Sequence, residues 1–543
     1  MPEGSTRHAI RLGRRSLLVK GGLAGAAGIV AACAAPSAPA APAAQPAPAA
    51  APRRGGTVVN ALQAEITNLD PGVSGDQPSL AAFSLVYEGL VGLTPDLATK
   101  PDLATSWESK DRTWTFKLRP GVKFHDGTPF NAAAVKANFD RYYGPDKPLR
   151  ANQVTPIIEG VEIVDELTVR FTTKTVDYFF IDRMADAAGI TGSWAFIISP
   201  AAITKYGKDL AKQAVGTGPF TFVEWIKDER FVVARNDAYW GDKAFLDRVI
   251  LRAIPEPEAR AIALESLDIQ VARTLNPETA QRIEKNAALT TSVRTTTRSL
   301  FIGLANLKKP FSDIRVRQAL NHAIDKQGIV KNIYSGLAEQ INGGVVPGQT
   351  GYVALPEFAY DPAKAKQLLA AAGYPNGFST TLLGPKGAYF KDFELQQAVQ
   401  QQLRAIGVDV KLETVEFAKY LDELRKDPKV SGLEMWQDAT GGGPTVHWLL
   451  QRYGCAYFRP NGTNTAGSCF SDVDALAMEA QSAPDGAKRL ALLKEAQEKL
   501  SLQAPSIWAL ATREAAGVSK KVRGLVHMGN GVVTVDERTW LDG

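Results

Sequence analysis

The chain has 543 residues, of which 45% are hydrophobic and 22% charged, a length and balance that exclude disorder throughout and exceed one ordinary domain. Lys and Arg total 62 against 57 Asp and Glu, but Arg7, Arg11, Arg14, Arg15 and Lys20 stand against Glu3 alone in the first 32 residues, so the remainder is nearly neutral. A basic surface for nucleic acid is therefore not expected, and 3 Cys with 5 His are too few for a disulfide-built scaffold or a multi-metal protein.

Residues 13–20 read GRRSLLVK and 21–35 read GGLAGAAGIVAACAA. That apolar run is short of the roughly 20 residues a bilayer-spanning helix needs, so it reads as a removable export signal. Arg14 and Arg15, followed by Ser16 and two leucines, resemble the twin-arginine export signature, with an ordinary secretory leader as the alternative. Val30, Ala31 and Ala32 before Cys33 resemble a bacterial lipobox, whose cysteine thiol receives a diacylglycerol as a thioether. The alternative is a leader cut at an Ala-x-Ala site with Cys33 incidental. Residues 34–52, AAPSAPAAPAAQPAPAAAP, offer nothing to pack and favour an extended state reaching up to about 60 Å. Together these pieces predict a body lipid-anchored to the membrane outside the cytoplasm, in a periplasm or at a cell surface.

From Arg53 onward strand and helix patterns mix. Thr113–Leu118 places Trp114, Phe116 and Leu118 on one face, and Leu167–Phe171 does the same with Leu167, Val169 and Phe171. Arg315–Tyr334 carries a helical apolar period through Val316, Ala319, Leu320, Ala323, Ile324 and Val330. Asp361-Pro362 supplies a cap and a first-turn proline for a helix ended by Gly373. Leu395, Val399, Leu403 and Ile406 recur at helical spacing before Gly407, after which Val408, Val410 and Leu412 alternate as a strand. A further helix is expected from Asp485 to Leu500. Helix feeding strand through one glycine is α/β architecture, and no repeat of 20–50 residues points to a solenoid.

Catalytic constellations are missing. There is no GxxxxGK[ST], GxSxG or HExxH; Gly216-Thr217-Gly218 is followed by Pro219, which lacks the N–H a phosphate loop needs. His125, His322, His447 and His527 stand alone, with no metal-ligand spacing to one another or to cysteine, so no metal or other cofactor is expected. Cys455 and Cys469 share a Gly/Asn/Thr-rich stretch and, outside the cytoplasm, predict a disulfide worth about 3 kcal/mol, against two separate buried thiols. Asn461-Gly462-Thr463 matches a glycosylation sequon but reads more simply as a turn.

Several segments resemble the extracellular solute-binding proteins of oligopeptide, dipeptide, nickel and opine ABC importers. They are, in order, Gly55-Gly56-Thr57 with Leu69-Asp70-Pro71, VYEGL at 86–90, PDLATSW at 101–107, WTFKLRPGVKFHDGTPF at 114–130, GTGPF at 216–220, NDAYW at 236–240, PFSDIRVRQALNHAI at 310–324 and YDPAKAKQLLAAAGY at 360–374. LESLDIQVA at 264–272 departs, with Leu267 and Gln270 where the family usually carries glycine and aspartate.

The resemblance implies an α/β periplasmic-binding-protein type II fold, two lobes around a ligand cleft with an extra subdomain. Mapped here, 1–33 is the export signal and 34–54 the linker. Lobe one comprises 55–88, 190–300 and 509–543, the inserted subdomain 89–189, and lobe two 301–508. It implies a monomeric, non-enzymatic receptor that closes on a small-molecule or peptide solute and hands it to ABC permease subunits with their ATPases. Peptide binders of the family pair the ligand ammonium with an aspartate after a tryptophan; the matching stretch holds Trp436 and Asp438, with Asp438 one residue nearer the tryptophan than usual. On lobe one the resemblance singles out Gly75, Asp76 and Gln77 as ligand-facing. Nickel chelates, opines and oligosaccharides are alternative cargoes, and an exported hydrolase or signalling receptor are alternatives of another class.

Overall fold

In the computed structural model, residues 51–185, 193–385, 389–440, 445–459 and 463–542 are described. Arg14, Arg15 and Cys33 lie outside the described residues.

The alternating stretch Thr113–Leu118 is a strand with Trp114, Phe116 and Leu118 buried. It lies in a four-stranded antiparallel sheet ordered Ala104–Lys110, Thr113–Leu118, Thr168–Thr173, Ile158–Asp165, where Phe116 meets Phe171 edge-on at 5.5 Å. This small sheet falls within residues 89–189, the stretch expected to form the inserted subdomain.

A long mixed sheet runs through both lobes. In chain order its strands are β1 (Thr57–Leu62), β2 (Phe220–Ile226), β3 (Arg230–Arg235), β4 (Arg248–Ala253), β5 (Val271–Ala272), β6 (Leu289–Leu304), β7 (Ala338–Gln340), β8 (Phe378–Pro385), β9 (Val408–Val415), β10 (Met435–Thr440) and β11 (Ser506–Ser519). Their order across the sheet is β9-β8-β10-β6-β11-β5-β1-β4-β3-β2, with β7 on β11. β1, β4 and β5 are parallel in lobe one, and β8, β9 and β10 are parallel in lobe two. Only β6 and β11 are long enough to serve both. They pair antiparallel, and their register slips between Thr295 and Ser299, where Thr295 faces Arg513 and Ser299 faces Ala511. Thr296, Thr297 and Arg298 thus stand against Thr512 alone, and the two extra residues kink the ribbon at the crossing between lobes.

The helices that matter below are α1 (Gln77–Val86), α2 (Ile314–His322), α3 (Pro362–Ala371), α4 (Asp392–Arg404), α5 (Thr445–Tyr453), α6 (Ser471–Ser482) and α7 (Gly486–Gln503). Asp361 caps α3 through Lys364 N at 2.9 Å, and Gly407 takes φ +89 between α4 and β9. The period over 315–334 resolves into two helices rather than one. Asp325 ends the run by capping Lys326–Asn332 through Gly328 N at 2.8 Å, a local bond that competes with continuing α2. Leu267, standing where the family usually has glycine, adopts φ +62 and remains exposed, so the turn is kept at the cost of a left-handed leucine.

Buried apolar residues fall into two large clusters, one joining lobe one to the subdomain and one filling lobe two. The segment after Thr173 touches both: Phe180 and Met184 belong to the first cluster, whereas Phe179 inserts into the second. Its lobe-two neighbours are His447 of α5, 6.3 Å away ring to ring, and Arg489 of α7, 5.7 Å above the ring. Tyr178 N donates to Gln481 O of α6 at 2.9 Å. Asp177 accepts from Arg183 Nε at 3.2 Å and lies 3.8 Å from His447 Nε2. Burial pushes the His447 imidazole down to about 4. Burial pushes Asp177 up, but the neighbouring His447, the Arg183 guanidinium and the hydrogen bond from Phe179 N outweigh it and hold the carboxyl down at about 2. This segment is thus a contact with lobe two away from the kink.

Candidate functional site

The carboxyl ends of parallel strands, where backbone N–H groups and following loops are free to meet a ligand, converge from both lobes on the kinked ribbon. On lobe one, Gln63 follows β1 and Arg273 follows β5. Gln63 Nε2 donates to Gln77 Oε1 at 3.0 Å, and Gln77 lies close enough to Glu514 of β11 to lower its carboxyl. Glu514 is raised by burial and lowered by two guanidiniums, Arg298 and Arg273. Arg273 is fully buried, and Nε, Nη1 and Nη2 all lack a hydrogen-bond partner. His527 sits near it, pushed down to about 4 by burial and by Arg273 and Arg294.

The loop before α1 is built for the backbone. Asp76 is the N-cap of α1: Oδ1 accepts from Ser79 N at 2.9 Å, while Oδ2 takes the hydroxyls of Thr67, Ser74 and Ser79. Gly75 lies against Arg150, whose Nη1 would be 2.0 Å from a Cβ at that position. Of the three residues singled out on this loop, Gln77 is the one joined to the buried polar cluster.

On lobe two, Asp438 lies near the carboxyl end of β10, facing Phe301 of β6 in the ladder. Its Oδ2 accepts from Arg452 Nη1 of α5 at 3.0 Å, and Oδ1 from Ala439 N at 2.8 Å. Tyr389 and Tyr420 stand within its field, and burial followed by Asp438 raises both phenols. Arg459, inside the loop closed by the Cys455–Cys469 disulfide, is depressed first by burial and then by Arg452, with Asp438 opposing. Its Nε is buried without a hydrogen-bond partner. Trp436, two residues before Asp438, is 2% exposed and packs on Gly303 of β6, where a Cβ would come within 2.2 Å of the indole. It is part of the lobe-two core.

Arg298 joins the halves. It is half-buried on the kink, within the field of Glu514 on lobe one and of Tyr389 on lobe two. Sequence reading did not reach Arg273, Arg298, Arg452, Arg459 or Glu514. Arginines at 294 and 298 around three threonines interrupt a β pattern, the one local sign that this strand does more than pack. Among the described residues no group of three or more His, Cys, Asp or Glu could hold a metal ion.

The model of bacterial extracellular solute-binding proteins, family 5 middle, matches residues 98–454. This chain belongs to that family. It is 35% identical over 480 residues to the glutathione-binding protein GsiB of Pectobacterium atrosepticum, covering 87% of this chain and 91% of that one. The periplasmic binding protein DppA of Helicobacter pylori, solved with the peptide STSA, superposes with a TM-score of 0.75 at 29% identity, over 90% of this chain and 99% of that one. AgaA of A. tumefaciens R10, solved with agropinic acid, gives 0.73 at 26% identity, over 90% and 99%. The family 5 protein is accordingly a solute binder of the type II periplasmic-binding-protein fold. Among the described residues the kinked ribbon is where the main sheet's two halves join.

Proposed function

We propose that this family 5 protein is the extracytoplasmic substrate-binding component of an ABC importer, capturing a short peptide or similar solute by lobe closure. Export through Arg14 and Arg15, lipidation at Cys33 and the Ala/Pro-rich 34–54 linker keep a monomeric body near the permease subunits and their ATPases. The observation that carries the reading is the buried polar cluster at the kink of β6 and β11, contributed by both lobes at once. A solute touching both halves favours the closed state by its differential affinity, which a one-lobe contact cannot supply. Asp438, oriented by Arg452, receives the solute's ammonium. Gln77 and the Gly75–Asp76 backbone supply lobe one's contacts, and Trp436 supports the β10 wall. The glutathione binder and the peptide-bound DppA favour a peptide, and the agropinic-acid complex favours an opine as the second reading.

The test is a thermal-shift and calorimetric screen of the mature protein against dipeptides, glutathione, opines, oligosaccharides and nickel chelates, with X-ray scattering on each hit. A peptide hit that also compacts the protein supports the reading. Stabilisation by a sugar alone refutes it.

A further inference from the structure

The Cys455–Cys469 disulfide links the end of α5 to the approach to α6, two segments that hydrogen bonds and packing already tie together. Asn464, fully buried between them, spends both amide protons on the residues next to the two cysteines. Its Nδ2 donates to Gly454 O at 3.3 Å and to Ser468 O at 2.8 Å, while Oδ1 accepts from Gly467 N at 3.1 Å. Asn464 N donates to Tyr457 O at 2.7 Å. Cys455 N reaches Asp474 Oδ1 of α6 at 3.3 Å, and the rings of Tyr453 and Phe470 meet at 6.4 Å beside the same junction. Asn306 Nδ2, from the segment after β6, holds Ser468 Oγ at 3.0 Å.

A disulfide whose two ends are held in this way stabilises chiefly by restricting the unfolded chain, so opening it leaves the native loop in place. The two cysteines also differ in access. Cys469 is exposed and Cys455 is half-buried, so a thiolate arriving from solvent meets Cys469. A bond that is both duplicated by Asn464 and open to solvent on one side is built to be broken and remade without unfolding.

We propose that the Cys455–Cys469 bond is an exchange site for low-molecular-weight thiols in the folded protein, and that Cys469 is the residue they modify. The thiolate attacks Cys469 Sγ, its electron pair forming the new sulfur–sulfur bond as the old one breaks. Cys455 leaves as a thiolate and takes a proton from water, so one disulfide replaces another. A second thiol attacking the mixed disulfide at the small molecule's sulfur releases Cys469, and the two thiol molecules leave oxidised to their own disulfide. Asn464 is the positioning residue that keeps the two segments together while the bond is open. The site does not depend on which solute the cleft takes.

The probe is cysteamine, added to the mature chain in buffer and, separately, in urea, then quenched with iodoacetamide and read by peptide mapping. Exchange in the folded chain should run within about tenfold of the rate in urea, with cysteamine on Cys469 and the alkyl group on Cys455. A bond opened only through global unfolding would exchange slower by roughly 10³-fold or more. That slowing, or cysteamine confined to Cys455, overturns the proposal. Deuterium exchange at the Asn464 amide, bonded to Tyr457 O, tests the tie in the oxidised and the fully reduced chain. Protection should be unchanged on reduction of the wild type, and its loss there overturns the proposal, because the loop would then depend on the bond. Asn464→Asp keeps the acceptor for Gly467 N and loses both donors, so its reduced form should lose that protection; protection kept in both redox states would overturn the role given to Asn464.

Discussion

Phe179→Ala tests whether the contact between the subdomain side and lobe two is a closure contact. Phe179 is 3% exposed and sits in the lobe-two cluster although Phe180 beside it belongs to the other cluster. Removing a buried phenylalanine costs about 3–5 kcal/mol. If the lobes part on opening, the open form already lacks this contact, and the cost falls on the closed state rather than on either core. Taking only about 2 kcal/mol of it, solute binding should weaken about 30-fold. Calorimetry on a solute found in the screen gives the dissociation constant, scattering gives the closed fraction at saturation, and calorimetric melting without solute reports the cores. The expected outcome is weaker binding with the solute-free melting temperature nearly unchanged. An unaltered dissociation constant with a clear drop in melting temperature would refute the reasoning, because Phe179 would then belong to a body that never opens there.

Acidification should act on the same contact. His447 goes from an ordinary 6.5 to about 4 on burial, so between those values the open form takes a proton that the closed form refuses, and closure weakens as pH falls. Asp182 works the other way: burial and Asp177 push it up to about 6, so the closed form takes the proton first and acid favours closure. From pH 7.5 to 5.5 these give about tenfold against about fourfold. Binding of a solute with no group titrating in that range should weaken a few-fold in the wild type and tighten in His447→Gln; weakening in both would show the imidazole is not involved. Replacing Cys455 and Cys469 together by serine should remove about 3 kcal/mol from the urea-unfolding free energy, and an unchanged midpoint would mean the loop is already ordered without the bond. Asp76→Ala should cost about 1 kcal/mol through loss of the α1 cap, read from the same urea curves, and a larger loss of affinity than of stability would place its carboxylate on the solute instead.

What the amino-acid order determined by itself is local. The period-2 faces of Thr113–Leu118 and Val408–Val415, the Asp361-Pro362 entry to α3 and the Gly407 turn are legible because backbone geometry repeats over two to four residues. The ordered family motifs likewise named the fold, since each is a short run tied to one local conformation. Where a local bond competed, as at Asp325, the periodicity ran one helix too far. Only the tertiary structure decided the company of the charges. Arg273, Arg298 and Glu514 meet because β5 and β6 both pair with β11, more than 200 residues later in the chain. Asp438, legible as a carboxylate after a tryptophan, acquired its meaning from Arg452 one helix further on and Arg459 beyond it. Charge compensation depends on distance and burial through space, and no periodicity along a strand records which cation it will be folded against.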